Sequence, residues 1–151
     1  MSEAAGDAMD ILLAEAAGQA EAAGQAEAGI GDLLRYLHAY YRHVAVEDLA
    51  AAGPQRVGAV AVEHARLAAD RPQGRALVRV RPAAEGGAFA AGRAVVDIVT
   101  DDMPFLVDSV TMALAHHDLD SELIVHPQLR VRRNVAGALR EVAGQIGRAH
   151  V

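Results

Sequence analysis

The stretch Val99-Thr-Asp-Asp-Met-Pro-Phe-Leu-Val-Asp-Ser-Val110 decides the fold, because it joins an apolar strand to an amphipathic helix through a short polar turn. The strand is Ala94–Thr100, which is largely β-branched and apolar on both faces, as expected for a central strand. We expect the helix from Pro104 to His117, since proline suits the first helical position and apolar residues then recur every three or four positions. The residues expected to form its buried stripe are Leu106, Val107, Val110, Ala113 and Leu114.

Downstream of this helix, the sequence predicts further strands and a turn. His126 and Pro127 interrupt the strand character, and Pro127 marks a bulge or an edge because it has no N–H for a strand ladder. Asn134 to Gly137 has turn composition, with Gly137 supplying a positive φ. The predicted strands are Ser121–Val125, Leu129–Arg133 and the return strand Ala138–Val142.

Upstream, Ala76–Arg81 alternates between apolar and basic residues, which predicts a strand with one solvent-exposed face. The Ala/Gly-rich loop Pro82–Gly92 joins it to the central strand. We expect the two strands to pair antiparallel, so that the first covers an edge of the second that would otherwise be exposed. The residues that this pairing brings together are Arg79, Val80, Val96 and Asp97.

The segment 30–75 predicts helices that are separated by turns. One helical face runs from Ile30 to Val44, and Asp48–Ala52 is a short continuation. Pro54 then suits the start of a new helix, which ends at the Pro/Gly cluster Asp70–Gly74.

Residues 1–29 form an Ala/Gly-rich, low-complexity lead-in in which Glu15–Ala20 repeats directly as Glu21–Ala26. A period of six maintains no single apolar face of a helix, and each glycine costs about 1 kcal/mol relative to alanine. We therefore expect a frayed lead-in. A partner-binding helix is the alternative interpretation. The residues expected to dock are Met9, Ile11, Leu12 and Leu13.

Composition excludes several classes of function. The chain has 151 residues, enough for one domain or a small domain with a helical extension. Its net charge of -6 lacks the basic surface that nucleic-acid binding needs, and no apolar run approaches the roughly 20 residues of a membrane span. There is no cysteine for a disulfide or a thiol nucleophile, and the N-terminus is acidic where a signal peptide is basic. We expect a cytoplasmic protein whose partners include neither nucleic acid nor membrane.

Carboxylates and a histidine near the strand-to-helix corner are candidates for chemistry. Asp101, Asp102 and Asp108 have the residue type for acid–base catalysis or for a divalent ion. Their spacing also matches a helix start, where acids accept backbone N–H groups and oppose the helix dipole, and we favour this capping role. One interpretation of His126 is a pocket-lining side chain, and a packed or bulge histidine beside Pro127 is the favoured one.

Possible metal ligands and arginines follow the helix. His116 and His117 are adjacent, so they point about 100° apart on a helix, and a solvated helix end is favoured over a metal site. The arginines have the chemistry to clamp a carboxylate, but a solvent-exposed strand face is the usual explanation. The ligand types are His116, His117, Asp118, Asp120, Glu122 and His126, and the arginines are Arg130, Arg132, Arg133 and Arg140.

The order of strand, helix, strand and hairpin strand, with Asp102-Met-Pro-Phe-Leu-Val-Asp-Ser109 at the helix start, resembles the opening of an ACT module. More specifically, Ile98–Thr111 with the later Val125-His-Pro127 and Val131-Arg-Arg133 is similar to the N-terminal region of the large bacterial NAD-specific glutamate dehydrogenases. The similarity is close over Val95–Glu141 and looser over Leu33–Val80. The signature residues are Asp101, Asp102, Pro104, Phe105, Asp108, Ser109, His126, Pro127 and Gly137.

The resemblance implies an α+β fold, with a helical N-terminal lead-in followed by a partial ACT-like (ferredoxin-like) antiparallel sheet and one packed helix. The lead-in is 1–29, the helical segment 30–75 and the partial ACT-like domain 76–142, which we expect to stop after its third strand. The tail 143–151 resembles one translated frame of a sequencing adapter. We therefore expect the chain to be a fragment.

The resemblance also implies a parent enzyme that uses NAD to deaminate glutamate oxidatively to 2-oxoglutarate and ammonia. The chain has no Gly-rich dinucleotide fingerprint after a strand and no lysine for such a site. We expect a non-catalytic regulatory or assembly fragment, with no catalytic, cofactor-binding or metal-binding residue of its own and with NAD bound elsewhere in the parent. The expected partners are the remainder of the parent enzyme and further copies in a homo-oligomer.

Amino acids bind ACT modules at the first strand-to-helix corner, where a small residue lets the backbone approach the ligand. Phe105 stands at that place, so we favour a packing role for the corner over an amino-acid effector. Two alternatives from other classes remain. One is a stand-alone ACT-type amino-acid-sensing module, and the other is a small metal hydrolase that uses the His and Asp cluster.

Overall fold

A computed structural model of the chain describes residues 2–24, 28–82 and 93–145. Helices and antiparallel strands together confirm the α+β class with a helical lead-in. The helices are α1 (Ser2–Ala22), α2 (Leu33–Tyr40), α3 (Val46–Ala52), α4 (Pro54–Ala68) and α5 (Leu106–His116), with a 3-10 turn at Ala28–Ile30. The strands are β1 (Leu77–Arg81), β2 (Val95–Val99), β3 (Leu129–Arg133) and β4 (Leu139–Gln145).

The expectation of a frayed lead-in is wrong, because α1 is a continuous helix that packs against α4. Leu13 and Ala16 are fully buried, whereas Ile11, which we expected to dock, is exposed. The helices approach closely at Gly58, where an added Cβ would lie 2.8 Å from the carbonyl oxygen of Ala16. Burial against this neighbour outweighs the low helix propensity of the glycines. Residues 25 and 26 of the repeat, and residue 27 after it, lie outside the described residues.

The hydrophobic core lies among α1, α2, α3 and α4. The side chain of Asp32 accepts a hydrogen bond from the Leu34 N–H at 3.1 Å and caps α2, and Pro54 occupies the first turn of α4 as predicted. Among the described residues after α4, Leu139 of β4 is the only hydrophobic side chain that belongs to the buried core. The larger core residues of the helical part are Leu13, Ile30, Leu33, Tyr36, Leu37, Tyr40, Tyr41, Leu49, Val57 and Val62.

Strands β1 and β2 pair antiparallel in the predicted arrangement, with Arg79 opposite Asp97 and Val80 opposite Val96. The arginine face turns towards α4, where Arg79 donates to the carbonyl oxygen of Glu63. The solvent-exposed face is therefore the valine face, and Val78 is 64% exposed. The predicted loop at 83–92 lies outside the described residues.

Strands β3 and β4 form a second, separate hairpin, so the described strands make two two-stranded sheets and not one. The predicted strand Ser121–Val125 is an irregular segment. This segment does not pair with either hairpin as a third strand. Pro127 also has no N–H with which to begin a strand ladder. The C-terminal hairpin continues to Gln145, beyond the predicted end at Val142.

Helix α5 begins at Leu106 and not at Pro104. Phe105 adopts a left-handed backbone conformation immediately before it, which excludes the preceding residues from the helix. The predicted apolar stripe is only half-buried, and Ala113 is exposed. This helix therefore lies on the surface with one side against the rest of the protein.

Within residues 2–24, 28–82 and 93–145, no helix is both long enough and apolar enough to span a lipid bilayer. The division of the chain at residues 29, 75 and 142 stays a prediction. Residues 146–151, which make up most of the predicted tail, lie outside the described residues.

Candidate functional site

The strand-to-helix corner connects the end of β2 to the start of α5. Phe105, the residue before the helix, has φ 63° and ψ 15°, a left-handed conformation that non-glycine residues seldom adopt. Its side chain is 76% exposed. The ring therefore projects from the corner and does not fill it within this chain, and a packing role for the corner stays a prediction. A strained backbone of this kind persists where the surrounding structure requires it, and it often marks a functional position.

Asp101 does not cap α5, although its position predicts this role. Its Oδ1 instead accepts a hydrogen bond from Arg71 Nη1 at 3.0 Å. This hydrogen bond and the charge of Arg71 lower the pKa of the Asp101 carboxyl below its ordinary value. The acid therefore links the corner to the segment that follows α4.

Asp102 is also engaged away from the helix start. Gln128 donates from Nε2 to Asp102 Oδ1 at 3.0 Å, which connects the corner to the segment before β3. Asp108 lies in the first turn of α5, where its charge opposes the dipole, and the Ser109 N–H donates to the carbonyl oxygen of Phe105 at 2.9 Å. Phe105, the residue at the N-cap position, forms no side-chain cap hydrogen bond. The Asp101 carboxylate binds Arg71 instead of the helix start, so its predicted cap hydrogen bond is wrong, whereas the capping role of Asp102 stays a prediction.

A cleft of about 390 Å³ lies beside the corner, and we refer to it as the α2–α5 cleft. It brings together the end of α2, the first turn of α5 and the segment before β3. His126 lines the cleft. The sequence analysis favoured a packed or bulge histidine over this pocket-lining position. The described lining residues are Tyr40, His43, Val44, Val107, Ile124, His126 and Gln128.

Behind the cleft, a chain of hydrogen bonds runs from Tyr40 through His64 to β2. His64 Nε2 lies 2.9 Å from the carbonyl oxygen of Ile98, which can only accept, so Nε2 carries a proton. In the neutral ring, His64 Nδ1 then accepts from the Tyr40 hydroxyl at 2.8 Å. Burial raises the pKa of Tyr40 well above its ordinary value and maintains the hydroxyl as a donor. The cleft wall is thereby connected to the β1–β2 hairpin.

A buried ion cluster under this hairpin is absent from the sequence predictions. Asp97 is 3% exposed, and its Oδ2 accepts from Arg79 Nη2 at 2.9 Å and from Arg81 Nη2 at 2.8 Å. Glu63 of α4 is 4.0 Å from Arg79. The sequence did contain a signal for this cluster. Asp97 is a single acid within an apolar strand, and the predicted register places it opposite Arg79. The cluster anchors the hairpin to α4. Both partners of the Asp97 carboxylate are arginines, which stay positively charged.

The remaining sequence candidates do not converge. Arg132 pairs with Glu141, whereas Arg133 donates to the carbonyl oxygens of Ala68 and Gly137, so the arginines form no common clamp. Burial, together with the charge of Arg71, lowers the pKa of Arg133. His116 and His117 lie at the exposed end of α5 with their rings edge to face. The described part of the chain contains no group of three His, Asp or Glu side chains arranged for a metal ion.

Comparison with protein families gives a match for most of the chain. The family model "Glutamate dehydrogenase, ACT1 domain" matches residues 36–150. The matched range contains the corner, all the lining residues of the α2–α5 cleft and both hairpins, and it begins inside α2. No solved structure matches the chain.

Proposed function

Because this chain belongs to the glutamate dehydrogenase ACT1 domain family, we propose that it is the N-terminal, non-catalytic part of an NAD-dependent glutamate dehydrogenase. Its role is regulation or assembly of that enzyme, which oxidises glutamate to 2-oxoglutarate and ammonia. The observation that carries the proposal is the family match over 36–150, which includes the signature residues around the corner.

The sequence supports a non-catalytic role. It contains no Gly-rich fingerprint after a strand for the pyrophosphate of NAD, and all fourteen basic residues are arginine, so no lysine is present for a dehydrogenase site. In the described structure, the buried Asp97 is held in a structural ion cluster with Arg79 and Arg81. We assign NAD and the hydride-transfer step to another part of the parent enzyme.

Exposed apolar surfaces support a role in assembly. The valine face of the β1–β2 hairpin is uncovered, and Phe105 and Met112 of the corner and α5 are exposed. Contiguous exposed apolar patches often mark contacts with another protein surface, and Val78, Val80 and Val96 lie together on the valine face. We assign these contacts to the remainder of the parent enzyme, which we expect to be a cytoplasmic homo-oligomer with neither nucleic acid nor membrane as a partner.

Two measurements test the proposal. The isolated chain should bind no NAD by fluorescence titration and should form no NADH from glutamate and NAD. In the parent enzyme, Met112→Asp should alter the oligomeric state or the response to effectors and leave the chemical step unchanged, whereas the exposed control Ile11→Asp should alter neither. Turnover by the isolated chain would refute the non-catalytic role. A parent enzyme that assembles and responds normally after deletion of 36–150 would refute the regulatory and assembly roles.

A second candidate is a stand-alone ACT-type module that senses an amino acid. The α2–α5 cleft next to the corner favours it. The two candidates differ in whether the natural protein that contains this chain also has a dehydrogenase domain. Sequencing the gene on both sides of this region decides between them.

A further inference from the structure

We propose that helix α5 pairs antiparallel with α5 of a second copy of this chain, about a two-fold axis beside Met112. Helix α5 contains no fully buried residue, and its half-buried side chains occupy one side of the helix. The residues on the opposite side are exposed, and Met112 at the centre of that side is 71% exposed. The half-buried residues are Leu106, Val107, Val110, Thr111 and Leu114.

The exposed side of α5 is a regular helical face, which we refer to as the α5 face. Asp108 and His116 stand four positions before and four positions after Met112. Residues four apart lie on the same face of a helix, about one turn from each other, so these three side chains form one row. The residues beside this row are small, which allows a neighbouring helix to approach closely. They are Ser109, Ala113 and Ala115.

The order of the polar groups along the α5 face selects an antiparallel second copy. In a two-fold pair centred on Met112, the position four before the centre in one copy lies opposite the position four after the centre in the other. Asp108 of each copy then meets His116 of the other. An imidazole offers an N–H in both of its protonation states, and a carboxylate accepts it. A parallel pair would instead place each Asp108 carboxylate beside its own copy.

Both groups are available for this contact. Among the described residues, Asp108 and His116 form no ion pair with each other or with another side chain. His116 packs edge to face against the ring of His117, its neighbour in the chain. A second copy therefore supplies partners that the described part of one copy does not.

Apolar side chains at the two ends of α5 extend the match. Phe105, directly before the helix, is 76% exposed, and Leu119, three residues after it, is 56% exposed. In an antiparallel pair, the Phe105 end of one helix lies against the Leu119 end of the other. Met112 meets its own copy at the axis, so the proposed contact has apolar groups at its centre and at both ends.

The size of α5 limits the strength of the pair. A helix of 11 residues buries less than the roughly 800 Å² for each partner that is usual in a stable, specific interface. The pair is therefore weak alone and is stabilised by other contacts between the copies. Its use in an enzyme rests on the proposed function, in which the parent is a homo-oligomer and its copies supply one another's contacts.

The chain contains no cysteine, so a single introduced thiol reports the contact directly. Because a residue beside a two-fold axis meets its own copy, Met112→Cys should give a disulfide-linked dimer of the 151-residue chain in a glutathione redox buffer. The Cβ atoms of a disulfide are about 3.5–4.5 Å apart, so the bond requires close approach. We expect dimer formation on a non-reducing gel about tenfold faster than for the control, because pairing raises the effective concentration of the thiols.

Two further cysteine variants locate the contact. Ile11→Cys is the matched control, since Ile11 is 69% exposed on α1, away from the α5 face. Val78→Cys tests whether copies associate through the valine face of the β1–β2 hairpin, where Val78 is also exposed. Circular dichroism confirms that each variant is folded.

Exchange of the polar groups tests the register of the pair. In the Met112→Cys chain, Asp108→Arg and His116→Asp should each slow dimer formation towards the rate of the control, because each removes the match between acid and base. The two substitutions together should restore it, since they exchange acid and base across the axis. Both substitutions oppose the dipole of α5, so recovery in the double variant cannot come from a more stable helix.

Three results would overturn the proposal. The first is dimer formation by Met112→Cys that is no faster than by Ile11→Cys. The second is faster dimer formation by Val78→Cys, which would assign the contact between copies to the valine face. The third is a double exchange variant that stays as slow as the single ones. None of these results bears on the absence of turnover in the isolated chain, so failure of the pair and failure of the non-catalytic role are distinguishable.

Discussion

Gly137 lies in the turn between β3 and β4 and is restricted by a neighbouring peptide as well as by its own backbone. Its φ of 98° agrees with the predicted positive value. In addition, an added Cβ would lie 2.4 Å from the carbonyl oxygen of Arg71, and the Arg71 N–H donates to the Gly137 carbonyl oxygen at 2.9 Å. The turn therefore docks on the backbone that follows α4.

Replacement of this glycine separates the two restrictions. We expect Gly137→Ala to lower the free energy of unfolding by about 3 kcal/mol, because it adds a backbone clash to the strain of a positive φ. Gly74→Ala is the control, since Gly74 has φ 81° with open space around it, and it should cost only about 1–2 kcal/mol. Urea denaturation measures both. Equal losses would show that the contact with Arg71 contributes nothing.

Asp97 is the second residue whose role depends on a close partner. Asp97→Asn should lower the free energy of unfolding by about 3–5 kcal/mol, because it removes the buried carboxylate that Arg79 and Arg81 share. Glu141→Gln removes the partner of Arg132 in an exposed ion pair and should cost less than about 1 kcal/mol. Thermal denaturation followed by circular dichroism compares the two. A loss below 1 kcal/mol for Asp97→Asn would contradict a structural role for the buried cluster.

At the scale of elements, local pattern predicted those features that depend on local chemistry. The register of β1 and β2 follows from their alternation, and the start of α4 follows from Pro54. Asp101 was assigned to the wrong partner, because Arg71 lies 30 positions from it in the chain and only the fold brings them together. The α2–α5 cleft combines three distant segments for the same reason.

The packing of α1 on α4 was missed because it depends on small residues at a contact. Gly58→Ala should lower the free energy of unfolding by about 1–2 kcal/mol, since the new methyl group meets the Ala16 carbonyl oxygen at 2.8 Å. Gly18→Ala provides the control within α1. Gly18 has open space around it, so this substitution should stabilise the protein by up to about 1 kcal/mol. Chemical denaturation measures both free energies of unfolding. A change in the same direction for the two variants would argue against the close helix contact.

For the whole molecule, the three tyrosines of the chain, Tyr36, Tyr40 and Tyr41, are all buried in one cluster. The Tyr36 hydroxyl donates to the Ala61 carbonyl oxygen and the Tyr41 hydroxyl to that of Val57. Burial raises the pKa of each phenol above its ordinary value near 10. The folded state therefore retains protons that the unfolded state releases at alkaline pH.

This difference gives stability a definite pH dependence. The contribution of the tyrosines is complete below pH 10 and is lost as the pH rises above that value, because only the unfolded chain ionises there. We expect tyrosinate absorbance to remain low until the protein unfolds, and then to rise in one step together with the loss of helical circular dichroism. Tyrosinate that forms at about pH 10 in a chain with intact helices would show that the cluster is accessible to water.

Helix α5 has no fully buried side chain, whereas α4 contains six buried residues. Segments with few buried contacts open at a lower free energy than the core, so the amide protons of α5 should exchange with deuterium before those of α4. Exchange in α5 would then report local opening of this helix, and exchange in α4 would report global unfolding of the chain. The helix that carries the signature sequence is consequently the part of the fold that can detach and return while the tyrosine-rich core stays closed.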